Sequence, residues 1–219
     1  MSPHPSLSIV RDIGITNRSV SGVMPGIGRY ESALERDFME LSRFDDALDK
    51  LVPQPLIVGY TDKSGRDRTY TPDGLITYRE DLRAPPVLYE IKYRADFRAS
   101  WRKLLPKYRA AKRLALSRGM IFKIFTEREI RTPYLDNVKF LWPYKARTIN
   151  EAIQEHILLV LSDLQEADPE LLLMALCNDE RNRGLMIPAV WHLIAHGRIG
   201  CDLSNPITMQ TPIWSKEDV

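Results

Sequence analysis

The stretch VLYEIKY at residues 87–93 decides the fold of this chain. It is a strand-like run in which Glu90 interrupts consecutive apolar residues, and a charge in such a run needs a reason. Because side chains alternate faces along a strand, we expect Glu90 and Lys92 to point the same way while Leu88 packs. The stretch therefore predicts a strand that presents an acid and a base on one face.

Two further acids lie upstream of this strand. Asp73 falls at the end of the strand-like run RTYTPDG at residues 68–74, and Glu35 lies in a helical segment before it. An Asp at a bend and a Glu on the next strand can share divalent cations, since hard cations such as Mg²⁺ prefer carboxylate oxygens. A lysine beside them can orient a water or stabilise charge on a phosphate. The pattern is typical of metal-dependent nucleases built on a small mixed sheet.

A structural interpretation of the same residues stays open at this point. The pattern Glu-x-Lys is common on solvent-exposed strand faces. An Asp that follows a Pro is a favoured turn residue.

Length and composition limit the classes of protein to which the chain can belong. The chain has 219 residues, of which 44% are hydrophobic and 27% charged, as in ordinary soluble proteins of one large or two small domains. Apolar runs long enough for a membrane span or a secretory signal are not expected. The two cysteines, Cys177 and Cys201, do not make a disulfide framework, so a reducing compartment is predicted.

Basic residues are concentrated between Lys92 and Arg118, a segment with ten basic residues and one acidic residue, Asp96. Apolar residues at helical spacing run through the same segment and predict an amphipathic helix. Its surplus of positive charge favours polyanions and salt-dependent binding, although a solvated surface helix is the alternative. The candidate DNA contacts are Arg94, Arg98, Arg102, Lys103 and Lys107.

Three regions are predicted along the chain. Residues 1–28 are rich in Ser, Pro and Gly, which predicts a flexible leader. For residues 29–145 the pattern predicts an α/β domain in which helices flank a mixed sheet. Its expected elements are a helix over 30–44, strands over 53–60, 68–74 and 87–93, a hairpin turn at 63–66, the basic helix, a strand over 120–126 and a short apolar segment over 137–142.

Residues 146–219 predict a mainly helical domain. Three helices, over 149–164, 170–177 and 187–196, precede a hairpin over 199–214, the outline of a winged helix. The face that such a domain inserts into DNA is only weakly basic here, so a protein-binding winged helix stays open. His192 and His196 could share a zinc ion with the two cysteines, but the spacing fits no common zinc site.

An ordered set of motifs resembles the TnsA-type endonuclease subunit of heteromeric transposases. The resemblance covers about residues 29–142, and the C-terminal part is similar to that family's helical domain. The motifs are ESALERDF at 31–38, FD at 44–45, QP at 54–55, YTPD at 70–73, YEIKYR at 89–94, Trp101, KYR at 107–109, FKI at 122–124 and TEREIRTP at 126–133.

The resemblance implies a fold and a reaction. The fold would be that of type II restriction endonucleases, and the reaction would be hydrolysis of double-stranded DNA at transposon ends. Mg²⁺ would be the cofactor, with Mn²⁺ able to substitute. The family cuts the 5′ (non-transferred) strand, a DDE transposase of the TnsB type cuts and joins the 3′ ends, and an AAA+ regulator of the TnsC type controls both. The setting would be the bacterial cytoplasm, at the nucleoid during transposition.

The resemblance also assigns roles to the candidate residues. The family's helix glutamate falls on Glu35, its turn aspartate on Asp73 and its sheet pair on Glu90 and Lys92. The three carboxylates would hold metal, and Lys92 would position the attacking water. Glu31 is the alternative helix ligand, although an acid in a first turn is explained by the helix dipole.

The remaining polar residues near these motifs are given structural roles. Gln54 is predicted to form hydrogen bonds near the site, and Asp37, Asp45 and Asp46 are predicted to be surface acids. Two other functions stay open. One is a free-standing restriction or repair nuclease, and the other is a non-catalytic module that bridges DNA and partner proteins.

Overall fold

The structure, a computed structural model, describes residues 21–216, which fall into two units that divide between Ile130 and Arg131. The elements of the first unit are β1 (Gly22–Met24), β2 (Gly28–Tyr30), α1 (Ala33–Phe44), β3 (Leu48–Pro53), β4 (Val58–Thr61), β5 (Asp67–Tyr70), β6 (Gly74–Tyr78), β7 (Val87–Ile91), α2 (Arg94–Ser117), β8 (Ile121–Phe125) and α3 (Glu127–Ile130). A short 3-10 turn over Glu80–Leu82 precedes β7.

A four-stranded mixed sheet with the order β3-β6-β7-β8 lies at the centre of this unit. The pairs β3–β6 and β6–β7 are antiparallel, while β7 and β8 are parallel and joined through α2. A parallel pair needs such a crossover, because its second strand must start again at the same edge. The predicted mixed sheet flanked by helices is confirmed.

Strand β7 is buried along its whole length. Its side chains point alternately to the two faces of the sheet and so contribute to two separate core clusters. Leu88 packs with Tyr108 and Ala111 of α2 on one face. Tyr89 packs with Leu34 and other residues of α1 and α3 on the opposite face. Glu90 shares the α2 face with Leu88, so the charge is enclosed by the helix and does not face solvent.

Helix α2 bends. The rings of Phe97 and Tyr108 stack with centroids 6.3 Å apart, although eleven residues span about 16 Å along a straight helix. Pro106 lies between them within α2 and removes one backbone hydrogen bond, which is the usual cause of a kink. The buried residues of the helix, Tyr108, Ala110, Ala111 and Ala115, all lie after Pro106.

Two predictions for the N-terminal part of the chain are wrong. Residues 22–30 form the antiparallel hairpin β1–β2, with Met24 buried, whereas the sequence predicts a flexible leader that extends to residue 28. The rest of that leader, residues 1–20, lies outside the described residues. The strand predicted over 53–60 is a strand only near its ends, since β3, which starts at Leu48, ends at Pro53 and β4 begins at Val58. Gln54 breaks the run with a left-handed backbone, φ 46°.

The strand predicted over 68–74 is only partly a strand, because β5 ends at Tyr70 and β6 begins at Gly74. The predictions for α1 and for the turn at 63–66 agree with the structure. Helix α1 ends at Phe44 as expected and begins at Ala33, because Ser32 caps it. The turn predicted at 63–66 joins β4 to β5, which pair antiparallel.

The second unit contains α4 (Pro133–Lys145), α5 (Glu151–Leu164), β9 (Glu166–Ala167), α6 (Pro169–Leu176), α7 (Glu180–Ala195), β10 (Ile199–Cys201) and β11 (Ile213–Ser215). The strands form an antiparallel sheet with the order β10-β11-β9. The three helices and the terminal hairpin that the sequence predicts are present. No helix within residues 21–216 has the length and apolar character needed to cross a membrane.

Helix α4 belongs to this second unit, so the division lies before the boundary predicted near residue 145. The side-chain amide of Asn137 donates to the backbone carbonyls of Leu203 and Asn205, at 2.9 and 2.7 Å. His192 Nδ1 lies 3.0 Å from the carbonyl oxygen of Tyr144. The segment predicted over 137–142 as a short apolar stretch is the centre of this helix.

Candidate active site

Asp73 lies in the turn between β5 and β6, and two hydrogen bonds hold it. Its backbone carbonyl accepts from the Gln54 N–H at 2.9 Å. Its carboxylate Oδ2 accepts from the backbone N–H of Ile91 at 2.6 Å. The second bond ties the turn aspartate to the end of β7, one residue beyond Glu90.

Gly74, the residue after Asp73, leaves room for the ring of Tyr89 on the neighbouring strand. In the β6–β7 register Gly74 pairs with Tyr89, and a Cβ at position 74 would lie 2.2 Å from the Tyr89 hydroxyl oxygen. The tyrosine ring therefore crosses the strand where only glycine fits. Burial, followed by the charges of Asp73 and Glu35, raises the pKa of the Tyr89 hydroxyl, so this group remains protonated.

Glu90 is 5% exposed, and three side chains bind its carboxylate. The Tyr70 hydroxyl donates to Oε2 at 2.5 Å, and the Tyr108 hydroxyl donates to Oε1 at 3.0 Å. Lys107 Nζ lies 3.1 Å from Oε1. A buried carboxylate requires such partners, because an unpaired charge in the interior costs several kcal/mol.

The two tyrosines are donors throughout the neutral range. Burial, and after it the charge of Glu90, raises the pKa of both the Tyr70 and the Tyr108 hydroxyl above the ordinary tyrosine value. A hydroxyl that keeps its proton can stabilise a carboxylate without changing its own charge. Together with Lys107 they fix the orientation of Glu90.

Glu35 lies in the first turn of α1 and takes part in a variant of the capping box. Its Oε1 accepts from the Ser32 hydroxyl at 2.8 Å and its Oε2 from the Glu31 N–H at 2.9 Å, while its own N–H donates to Ser32 at 3.1 Å. These contacts explain the glutamate as a helix cap. They also hold its carboxylate in one position.

The three acids nevertheless act on one another. Burial first, and then the charges of Glu90 and Glu35, raise the pKa of Asp73 well above its usual value. Burial and the charges of Glu31 and Glu90 raise the pKa of Glu35. Mutual repulsion of this kind is what a divalent cation placed between carboxylates would relieve.

The carboxylate oxygens of Glu35, Asp73 and Glu90 are suitable ligands for a hard divalent cation. These side chains would have to move to bind one together. Within residues 21–216 no three Asp, Glu, His or Cys side chains converge closely enough to hold an ion. Both oxygens of Glu90 and of Glu35 accept hydrogen bonds from protein groups. A cation bound there would share these oxygens with the protein donors.

Lys92 and Lys107 differ from their predictions in the partners of their ammonium groups. Lys92 follows the last residue of β7, and its backbone N–H donates to the Phe125 carbonyl at 3.0 Å. Its side chain is partly buried and its ammonium has no hydrogen-bond or ion-pair partner among residues 21–216. Lys107, predicted as a DNA contact, is the lysine that binds the Glu90 carboxylate.

The other predicted DNA contacts lie in the first half of α2. Arg98, Arg102 and Lys103 are exposed. Arg94 is partly buried at the start of the helix, where its backbone N–H donates to the Glu127 carboxylate at 2.8 Å. The DNA contact of the exposed members stays a prediction.

The remaining acids and Gln54 differ in burial. Glu31 is exposed, precedes α1, and accepts a 3.4 Å hydrogen bond from the Gln54 amide. Gln54 is 8% exposed, and its Oε1 has no partner among the described residues. Asp45 and Asp46 are exposed as predicted, but Asp37 is 4% exposed and lies 3.7 Å from Arg36, so its prediction as a surface acid is wrong. It follows Leu34 by almost one turn and shares its buried face.

Sequence reasoning missed the cage around Glu90. From the sequence, Tyr70 is one residue of a motif, Tyr108 belongs to an apolar helix stripe, and Lys107 is a DNA contact. The available signal was that Glu90 points to the face on which Leu88 packs, where a charge needs donors from the covering helix. Tyr108 lies in the apolar stripe of that helix and Lys107 is its neighbour.

Comparison with known families bears on this arrangement. Residues 45–127 match the family model described as TnsA-like endonuclease N terminal, and residues 129–203 match the model described as TnsA endonuclease C terminal. The chain belongs to the TnsA endonuclease family. No significant match is found among curated proteins.

Membership in the TnsA family supports an endonuclease subunit of a transposase. The first match includes Asp73, Glu90, Lys92 and Lys107, while Glu35 lies before its start. The second match starts at residue 129, close to the division between the two units. The TnsA family resemblance drawn from the sequence is thus confirmed.

Proposed function

We propose that this chain is the Mg²⁺-dependent subunit that cuts the 5′ strand at transposon ends, together with a DDE transposase of the TnsB type and an AAA+ regulator of the TnsC type. The observation that carries the proposal is the hydrogen bond from Ile91 to Asp73, which places the turn aspartate beside the strand that bears Glu90. Family membership supplies the reaction class, and the raised pKa values of Asp73 and Glu35 support a cation-binding role.

Each residue of the site has a role in this proposal. Glu35, Asp73 and Glu90 would hold the cation, which when bound would activate water and stabilise charge on the phosphate. Lys92, whose ammonium has no partner among the described residues, would orient the attacking water. The exposed residues Arg98, Arg102 and Lys103 of α2 would bind the DNA backbone, where basic side chains determine position and not sequence.

The second unit supports a winged-helix assignment. Its elements from α5 onward follow the order helix, strand, helix, helix, strand, strand, and β11 lies between β9 and β10 in the sheet. We propose that this unit is a winged helix that docks a partner protein or the DNA next to the cut. A crystal structure of residues 131–219 with its partner would test the assignment.

Cleavage of a labelled duplex that carries the transposon end tests the function. The reaction would be run in Mg²⁺ and in EDTA, with and without the partner transposase, using the wild type, Asp73→Asn and Asp49→Asn. The matched control Asp49 is an exposed acid of β3. We expect a 5′-strand cut that needs Mg²⁺, the partner and Asp73, but not Asp49.

Other results would overturn parts of the proposal. Efficient sequence-specific cutting by this chain alone would indicate a free-standing restriction or repair enzyme. Cutting by Asp73→Asn at the wild-type rate would show that the site is elsewhere. Absence of cutting under all conditions, with DNA binding retained, would indicate a bridging module.

A further inference from the structure

We propose that Lys107 is a positioning residue for Glu90, which it neutralises in the metal-free protein, and that a divalent cation must displace it. The metal part of this inference rests on the proposed function, whereas the ion pair itself does not. It assigns Lys107 a role at the catalytic carboxylate in place of the DNA contact that its sequence position predicts.

The first step is the position of the ammonium group. Lys107 Nζ lies 3.1 Å from Glu90 Oε1, 4.1 Å from the centroid of the Tyr70 ring and 4.8 Å from that of the Tyr108 ring. Two aromatic faces and a carboxylate thus surround the cation, each of them an attractive partner for positive charge. These contacts hold the ammonium against the Glu90 carboxylate and the two rings.

The second step is burial. The side chains of Lys107 and Glu90 are 19% and 6% exposed. An ion pair this deep is weakly screened, and removal of one partner leaves the other charge uncompensated. Lys103, one turn earlier on α2, is exposed, and within residues 21–216 no such contact holds its ammonium. The two lysines therefore differ in environment although they belong to one basic helix.

The third step is competition for the same oxygen. Glu90 Oε1 accepts from both Lys107 and Tyr108, and Oε2 accepts from Tyr70. A divalent cation bound by Glu90 needs a lone pair of that carboxylate and repels an ammonium at contact distance. Binding of the cation and binding of Lys107 to Glu90 therefore oppose each other, and the lysine acts as the charge substitute while the site is without metal.

A double-mutant cycle tests the ion pair without any metal. Urea unfolding in EDTA would be measured for the wild type, Lys107→Met, Glu90→Gln, the double variant, Lys107→Arg and Lys103→Met. We expect Lys107→Met to lower the unfolding midpoint, Glu90→Gln to restore much of that loss in the double variant, and Lys107→Arg and Lys103→Met to unfold like the wild type. Additive effects of the two single changes would overturn the pair.

Binding of Mn²⁺ tests the competition, with the amount of free ion followed by electron paramagnetic resonance. We expect Lys107→Met to bind Mn²⁺ on the order of tenfold more tightly than the wild type, and Lys103→Met to bind it equally. Equal or weaker binding by Lys107→Met would overturn the competition. Absence of Mn²⁺ binding by every variant would instead contradict the proposed metal dependence, and the double-mutant cycle would still decide the pair.

Salt dependence of DNA binding separates this role from a phosphate contact. Duplex affinity would be measured in EDTA between low and moderate salt. Loss of a phosphate contact reduces the slope of log K against log salt by about 1. We expect that reduction for Lys103→Met and an unchanged slope for Lys107→Met. A reduced slope for Lys107→Met would show that Lys107 contacts DNA and would overturn the assignment.

Discussion

The backbone N–H of Ile91 donates a 2.6 Å hydrogen bond to the Asp73 carboxylate, across eighteen positions of the chain. This bond joins the turn before β6 to the last residue of β7. It partly offsets the burial and the carboxylate repulsion that raise the pKa of Asp73. A backbone N–H group thus connects the two segments of the site, and such a contact cannot be predicted from a pattern of side chains.

The first prediction concerns the charge of Asp73. A carboxyl group whose pKa is higher in the folded state than in the unfolded state is bound more readily by a proton when folded. Its contribution to stability is therefore present at low pH and is lost as the pH rises from the ordinary aspartate pKa through the raised one. Asp73→Asn removes the charge and keeps an oxygen that can accept from Ile91.

We expect Asp73→Asn to raise the thermal unfolding midpoint at pH 7 in EDTA by roughly 2–4 °C, the shift that about 1 kcal/mol produces in a chain of this size. The gain should shrink towards pH 4. Asp49→Asn, at an exposed position of β3, should leave the midpoint unchanged. A gain for Asp73→Asn that grows as the pH falls would contradict the sign of its pKa shift.

The second prediction concerns Gly74. A methyl group there would lie 2.2 Å from the Tyr89 hydroxyl oxygen and 2.3 Å from its Cζ, so a rigid buried ring would have to move. We expect Gly74→Ala to lower the free energy of unfolding by about 3 kcal/mol, the upper end for overpacking. Gly59→Ala is the control, because a Cβ at Gly59 meets nothing within 4 Å. Urea unfolding measures both, and equal effects would refute the steric argument.

The third prediction concerns the hydroxyl groups that bind Glu90. Tyr70→Phe and Tyr108→Phe each delete a hydrogen bond to a buried carboxylate while they keep the ring. Each should lower the free energy of unfolding by about 1.5–3 kcal/mol, the range for bonds to charged groups. Tyr60→Phe changes a partly buried ring that packs on the same core cluster and has no hydroxyl bond among the described residues. It should be near neutral, and similar losses for all three would show that the carboxylate is not the cause.

The fourth prediction concerns the basic helix. Arg98→Ala combined with Arg102→Ala removes two exposed cations from the first half of α2. If both bind phosphates, the slope of log K against log salt for duplex binding falls by about 2. Lys112→Ala combined with Arg118→Ala removes the same charge near the other end of that helix. An equal fall for both pairs would indicate nonspecific attraction by net charge alone.

The fifth prediction concerns Asn137 in the second unit. Besides its two donated bonds, its Oδ1 accepts from the Ile207 N–H at 3.1 Å, so one buried amide holds the segment before β11. Asn137→Ala should cost about 2–3 kcal/mol, because three backbone groups lose their partner. Asn182→Ala, at an exposed position of α7, should have little effect. Chemical unfolding followed by tryptophan fluorescence measures the difference.

Much of the local structure could be predicted from the sequence. Helix α1, helix α2, strand β7 and strand β8 follow periodicities of 3.6 and 2, which depend on neighbouring residues alone. The hairpin turn at 63–66 follows from Gly65, whose φ of 80° suits glycine. Glu90 stands out because it interrupts an apolar run, whereas Glu35 and Asp73 are assigned by the family resemblance.

The errors arose where distant contacts decide the structure. The hairpin β1–β2 has little periodicity of its own, and it is stabilised by burial of Met24 and by contact with β3. The break after Pro53 depends on the bond between Gln54 and the Asp73 carbonyl. The unit to which helix α4 belongs is decided by its buried amide, which reaches loop carbonyls more than sixty residues later.

The sequence by itself determined the longer helices, the strand that carries Glu90, the family and the set of charged residues from which a site can be built, because each depends on residue type and local spacing. Only the tertiary structure decided that Lys107 and not Lys92 binds Glu90, and that Ile91 holds Asp73. The physical reason is that a buried charge takes whichever donors the fold brings to it. Those donors lie on elements far apart in the chain, and their approach depends on the packing of α2 on β7.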